Sequence, residues 1–319
     1  MKKILCVLMS CLLFVMAGCS GHSKNLKFGA ADIGGVYYSF ASTFTQLADK
    51  ELDGYTFETK TTAGSVANLR LISDGYIDLA IVQADLLSDA YNATGTFADK
   101  KYQKGYKAVA SLYTECCQIV VRKDSGITGI DDLINKTVSV GASESGTEKN
   151  AEQILKMSGI TDELINKVNM DYTEAAEKLK AGEIDAFFCT AGTRTEVIGQ
   201  LSKECDICLI SLDDKCIDKM LSAYSLCEKY TIPAGTYNGQ DSDVTTIGVR
   251  AVLIAKQSLS DDVIKNVTKT IYEHADDFKY ATSLDISFDI NTAADGVDIP
   301  FHSGAAAYYT ERGINVLTE

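Results

Sequence analysis

An excess of basic residues is what this 319-residue chain most clearly lacks. Its 30 lysines and arginines stand against 44 aspartates and glutamates, a net charge of −14. Nucleic acids and anionic membrane surfaces are bound through basic patches, so this balance argues against both as partners. Histidine is scarce and scattered, at His22, His274 and His302 only, which argues against a metal centre or a histidine-dependent catalytic site. A dinucleotide fingerprint is missing, because Gly29, Gly34 and Gly35 do not follow the G-x-G-x-x-G spacing. A hydrolase elbow is missing too: Gly141-Ala142-Ser143-Glu144-Ser145 ends in serine where G-x-S-x-G needs glycine. No catalytic residue, metal or cofactor is therefore expected. Tryptophan is absent and proline occurs twice, and neither fact bears on function.

What is present begins with an export signal. Lys2 and Lys3 precede a short apolar run, Ile4–Met16, too short to span a bilayer stably, followed by the small residues Ala17 and Gly18. Cys19 directly after them resembles the lipidated first residue of a lipoprotein. The expectation is a signal peptide over residues 1–18, a lipid-anchored tether over 19–25, and an exported protein held at the outer face of the cell membrane. Seven further cysteines follow, Cys116, Cys117, Cys189, Cys205, Cys208, Cys216 and Cys227. Their odd number leaves at least one unpaired. A lone C-x-x-C at Cys205–Cys208 is weak for zinc, so buried thiols or a surface bridge are the better readings.

Phe28–Phe40, FGAADIGGVYYSF, reads as a buried strand, a glycine turn and the start of a helix. A helix that starts directly after glycines leaves its first N–H groups free to meet an anion, and the helix dipole acts in the same sense. Tyr55–Lys60 is a strand, Ser65 a natural N-cap for a helix over Val66–Ser73, and Ile77–Val82 a continuous apolar strand ahead of a helix opening at Gln83. This rhythm argues for βαβ units around a parallel sheet. Ala108–Tyr113 and Gln118–Arg122 read as two short strands with Thr114–Cys117 between them. Thr137–Val140, the small-residue loop Gly141–Thr147 and the helix Glu148–Met157 repeat the strand, loop and helix N-terminus pattern. Ile184–Cys189 leads to a third such junction at Thr190–Arg194. Lys219–Tyr224 reads as helix, Tyr230–Gln240 as an irregular loop, Thr245–Ala255 as a strand back to the first lobe, and Asp261 onward as an amphipathic helix.

Eight segments, in order over nearly the whole chain, resemble the TAXI family, the extracytoplasmic solute-binding proteins of TRAP transporters. They are GGVYYSFASTF (34–44), TTAGSVANLRLISDGYIDLAIVQAD (61–85), VASLYTE (109–115), VVRKDSGI (120–127), VSVGASESGTE (138–148), EIDAFFCTAG (183–192), TIPAGTYNGQDSDVTTIGV (231–249) and IPFHSGAAAYY (299–309). The chain departs from that family at Cys116-Cys117 and at Arg194, which bears on the ligand. The resemblance implies an α/β, two-lobed periplasmic-binding-protein-like (type II) fold. Each lobe would be a mainly parallel sheet flanked by helices, joined by two crossing strands, with lobe 1 at residues 26–115 and 245–319 and lobe 2 at 116–244. It implies a binding protein, not an enzyme, that hands a small organic anion or amino acid, glutamate-like or a dicarboxylate, to a cation-coupled TRAP membrane subunit, with a neutral amino acid left open as cargo. A ligand-sensing subunit feeding a membrane receptor or kinase is the alternative, and an exported enzyme a weaker one. The expected pocket comprises Gly35, Val36, Tyr37, Tyr38, Ser65, Asn68, Gln83, Tyr113, Ser143, Ser145, Gly146, Thr147, Ala191, Gly192 and Arg194. In it backbone N–H groups hold a carboxylate, tyrosines cover the carbon skeleton, and the amides of Asn68 and Gln83 read a second polar group.

Overall fold

The computed structural model describes residues 23–98, 102, 105–283 and 288–319. The signal peptide and Cys19 lie outside the described residues. β1 (Lys24–Gly29) already includes Lys24 and Asn25, so these two belong to the sheet and not to a polar tether. α1 (Val36–Glu51) follows, with Val36, Tyr37, Phe40, Ala41, Phe44 and Ala48 buried along one face at helical spacing. Phe40 and Phe44 pack on Phe28, Phe57, Phe278 and Phe288, and burial of each ring stabilises the fold by roughly 1.5–3 kcal/mol.

β2 (Tyr55–Lys60), α2 (Ser65–Ser73), β3 (Leu79–Gln83) and α3 (Ala84–Asn92) complete the first run of βα units. β1 is flanked by β2 and β3, both parallel to it. β4 (Tyr106–Arg122) is one continuous strand of 17 residues where two short ones were expected. At about 3.3 Å per residue it is long enough to belong to both lobes. Tyr106–Cys116 pairs with a later strand of the first lobe, whereas Cys116–Val121 pairs with the second.

The second lobe contributes β5 (Thr137–Ser139), α4 (Gly146–Met157), β6 (Asn166–Val168), α5 (Tyr172–Ala181), β7 (Ala186–Ala191), α6 (Glu196–Glu204), β8 (Ile207–Leu209), α7 (Asp214–Ala223) and β9 (Cys227–Ile232). β9 takes Tyr230–Ile232 out of the expected loop, because those residues pair antiparallel with Val244–Thr246. β10 (Val244–Lys256) is the return crossing; it pairs with β9, β4 and β3 in turn. α8 (Asp261–Glu273), α9 (Ala275–Thr282) and α10 (Ser303–Thr310) pack on the first lobe. The strand order is β2-β1-β3-β10-β4-β7-β5-β6, with β9 on β10 and β8 on β4. This is the two-lobed type II architecture, with β4 and β10 as the crossing strands.

All seven cysteines among the described residues are free thiols, so the surface bridge is not formed. Five are buried around β4, β7 and the neighbouring helices, and burial pushes the Cys117 thiol up to about 12. Among the described residues no helix is long and apolar enough to cross a membrane.

Candidate functional site

Strands of both lobes deliver their C-terminal ends to one cleft, and helices start there. The turn Asp32–Gly35, closed by the Gly35 N–H donating to the Asp32 carbonyl at 3.0 Å, introduces α1. α2 begins after Gly64 and α4 after Ser145, and these two N-termini face each other from opposite lobes. Two glycines permit the approach. Gly64 has φ +117°, and a Cβ there would lie 3.4 Å from the Ser145 Cα; at Gly146 a Cβ would fall 2.4 Å from Gln83 Oε1. The first N–H groups of each helix have no acceptor within it, so the cleft presents positive backbone dipoles.

The cleft floor is Glu115, on β4, with 3 % of its surface exposed. The Tyr37 hydroxyl donates to Glu115 Oε2 at 2.8 Å, and Gln83 Nε2 donates to the same oxygen at 3.3 Å and to Asn150 Oδ1 at 2.9 Å. Burial pushes the Glu115 carboxyl up to about 8, against the smaller opposing effect of those two donors. Asp32 is also raised, by burial and then by the neighbouring charge of Asp171. The far wall is locked by a ring of bonds whose directions fix one another. Thr190 N–H donates to Thr147 Oγ1 (3.1 Å), the Thr147 hydroxyl lies 2.6 Å from Tyr172 Oη, and Tyr172 Oη donates to the Thr190 carbonyl (2.9 Å). Thr147 must therefore donate to Tyr172.

Of the expected pocket residues, Gly35, Val36, Tyr37, Ser65, Gln83, Ser145, Gly146, Thr147 and Ala191 line this cleft. Six others lie outside the lining. Asn68 sits one layer below it, where its amide donates to the carbonyls of Ala30 (2.6 Å) and Ile81 (2.9 Å) and accepts from Thr62 Oγ1 (2.7 Å); it ties β1 to β3 and does not face a ligand. Tyr38 is half-buried on the flank of α1, and Tyr113 is a buried ring behind the floor. Ser143 and Arg194 are exposed, and Gly192 is buried with its carbonyl accepting from Thr195 Oγ1. Ser65 does not cap α2 with its side chain, as expected, but accepts the Gln83 N–H at 3.1 Å. Asp32, Glu115, Asp171, Tyr172 and Thr190 line the cleft without having been singled out from sequence. Glu115 left a signal, a lone acid inside the apolar run of β4, since a buried carboxylate in a strand needs a reason.

Three features define what this site can do chemically. Among the described residues, no lysine or arginine lines it, whereas Asp32, Glu115 and Asp171 do. Gln83 Oε1 and Asp32 Oδ2 are buried there without a hydrogen-bond partner. Among the described residues no group of three or more metal-ligating side chains occurs. The arrangement sets backbone donors and side-chain acceptors around one small cleft.

Solved structures share the fold at low identity. A "putative L-cystine ABC transporter" protein from Listeria monocytogenes is 15 % identical, with a TM-score of 0.52 over 82 % of this chain and 94 % of that one. PhnD1 from Prochlorococcus marinus, in complex with methylphosphonate, is 12 % identical with a TM-score of 0.58 over 83 % and 92 %. An ancestral arginine-binding protein bound to arginine is 15 % identical with a TM-score of 0.50 over 82 % and 98 %. At sequence level the profile of the NMT1-like family matches residues 28–313 of the 319. The chain belongs to the NMT1-like family.

Proposed function

We propose that this protein is an extracytoplasmic solute-binding protein that captures a small organic acid or amino acid between its lobes and delivers it to a membrane transporter. The observation that carries this reading is the convergence of the α1, α2 and α4 N-termini, from both lobes, on one cleft spanned by the crossing strands β4 and β10. Hinge closure across those strands, with residues 26–115 and 245–319 moving against 116–244, encloses the ligand and forms the surface a transporter reads. The motifs quoted above favour a TRAP-type, cation-coupled partner; the glutamate-like or dicarboxylate cargo they imply is narrowed by a lining with three acids and, among the described residues, no lysine or arginine. The leader and Cys19 favour export and a lipid anchor on the outer face of the membrane. The titles of the solved structures, which name an ABC transporter and an arginine-binding protein, keep an ATP-driven partner as the second reading.

The test is a dye-based thermal-shift screen of the mature, refolded protein against amino acids, dicarboxylates and keto acids, followed by calorimetry. A ligand at a hundredfold excess over its dissociation constant stabilises the folded state by about 2.7 kcal/mol, which is readily seen. Silence in all three classes would sink the reading. Uptake of the identified ligand by cells carrying the protein then separates the partners. Loss on collapse of the sodium or proton gradient supports the TRAP type, and loss on inhibition of ATP hydrolysis alone supports the ABC type.

A further inference from the structure

Resting on the solute-binding reading, we infer that the cleft takes a small α-amino acid with an uncharged side chain, its ammonium group received by Glu115 and Asp32 and its carboxylate by the N-termini of α2 and α4. The dipole ends of these helices supply the donors a carboxylate needs, and they lie on the two sides of the closed cleft. What remains is rich in acceptors. Gln83 is 2 % exposed, and its Nε2 is committed to Glu115 and Asn150, so the partnerless Oε1 can only accept. Asp32 Oδ2 adds a second buried acceptor without a partner. Leaving a buried acceptor unpaired is unfavourable, so two around one cleft mark the place of a ligand that brings N–H donors.

Charge points the same way. A second carboxylate on the ligand would meet Asp32, Glu115 and Asp171 with no lysine or arginine among the described lining residues to oppose them. Glu115 is held near neutrality in the empty cleft because burial pushes its carboxyl up to about 8, and an ammonium beside it favours the ionised form. Size is the last restraint. The half-open cleft leaves room of about 40 Å³, where a single water needs roughly 10–15 Å³ on the same measure. That suits the few atoms of alanine or serine better than the longer glutamate chain.

Isothermal titration of the refolded mature protein with alanine, serine, glutamate, succinate, lactate and propionate tests this. The expected result is that alanine or serine binds, that propionate and lactate bind at least about tenfold more weakly, and that succinate and glutamate do so too. Glu115→Gln and Asp32→Asn, checked for native far-UV circular dichroism, should each weaken alanine or serine binding about tenfold or more without weakening propionate. Succinate, glutamate or propionate binding as tightly as alanine and serine overturns this inference and leaves the solute-binding reading standing. So does unchanged alanine and serine affinity in both variants. No binding by any compound in this set or in the wider screen overturns the reading and the inference with it.

Discussion

A carboxyl that folding forces to keep its proton ties stability to pH in a direction opposite to that of a salt-bridged acid. Glu115 is pushed up to about 8, so between the ordinary carboxylate range and that value the folded chain holds a proton the unfolded chain has released. The contribution of Glu115 to the stability of the ligand-free protein therefore falls as pH rises through this window, by up to about 1.4 kcal/mol per pH unit, and levels off above it. Asp85, raised to about 6 by burial, adds a similar loss at lower pH, and His274, raised by its bonds to Asp277 and Glu51, adds one above its ordinary value, so Glu115 is isolated only by comparing parent and variant across roughly pH 6.5 to 8. Thermal unfolding of Glu115→Gln should show a flatter dependence than the parent across that interval; identical slopes would contradict the assignment. Asn68 makes a contrasting case. A buried amide beside a predicted pocket reads naturally as a ligand contact, yet its bonds to Ala30, Ile81 and Thr62 tie strands together. Asn68→Ala should thus cost about 2–3 kcal/mol in urea unfolding by leaving buried partners unsatisfied. Ligand affinity measured on the folded fraction should change little.

At the scale of elements, the strand-to-helix junctions were legible in the sequence because each is written locally, in an apolar run, small residues and a helical period. Gly35, Ser145 and Gly146 lie at helix starts within one or two residues of where the pattern places them. What local pattern could not carry was pairing between distant strands. Thr114 and Glu115 break the apolar run of β4, so the sequence reads as two strands. The single strand persists because β10 runs alongside from Lys256 to Gly248, with shifts of register at Ala251/Val252 and Leu253/Ile254. β9 was missed for the same reason: Cys227–Ile232 alternates weakly and is a strand only because β10 supplies its partner. Asp32, Glu115 and Tyr172 come from three elements far apart in sequence, and nothing local joins them. The contact between α4 and Gln83 yields a sharp test. Gly146→Ala places a methyl 2.4 Å from the Gln83 amide oxygen, so the amide must move or the lobes must stay apart. Ligand affinity should fall tenfold or more with the unfolding midpoint of the ligand-free protein nearly unchanged. Retained affinity would show that Gln83 is not part of the binding geometry.

At the scale of the whole molecule, the structure is a closed form, and the bonds that cross the cleft say what holds it shut. Arg70 on α2 makes a two-bond contact with Glu144 of the second lobe, Nε to Oε1 at 3.1 Å and Nη2 to Oε2 at 2.7 Å. The Ala67 N–H donates across the same gap to the Glu144 carbonyl at 3.1 Å. Glu144 sits at φ +65°, and its own N–H donates to Glu148 Oε2, so the residue is set in place before the lobes meet. Both Arg70 and Glu144 are 39 % exposed, which limits the ion pair to about 0.5–1 kcal/mol after screening. That is little for folding, but it bears wholly on the balance between open and closed forms, because the pair exists only when the lobes meet. Affinity scales with the fraction of molecules able to close, so Arg70→Ala should weaken ligand binding by roughly two- to fivefold. The loss should come through faster release, and it should shrink in high salt as the parent's ion pair is screened. Small-angle scattering should show the ligand-free variant more expanded than the parent, with the two indistinguishable when saturated. A variant that released ligand at the parental rate, or stayed as compact without ligand, would move the control of closure from this pair to the contacts around Gln83.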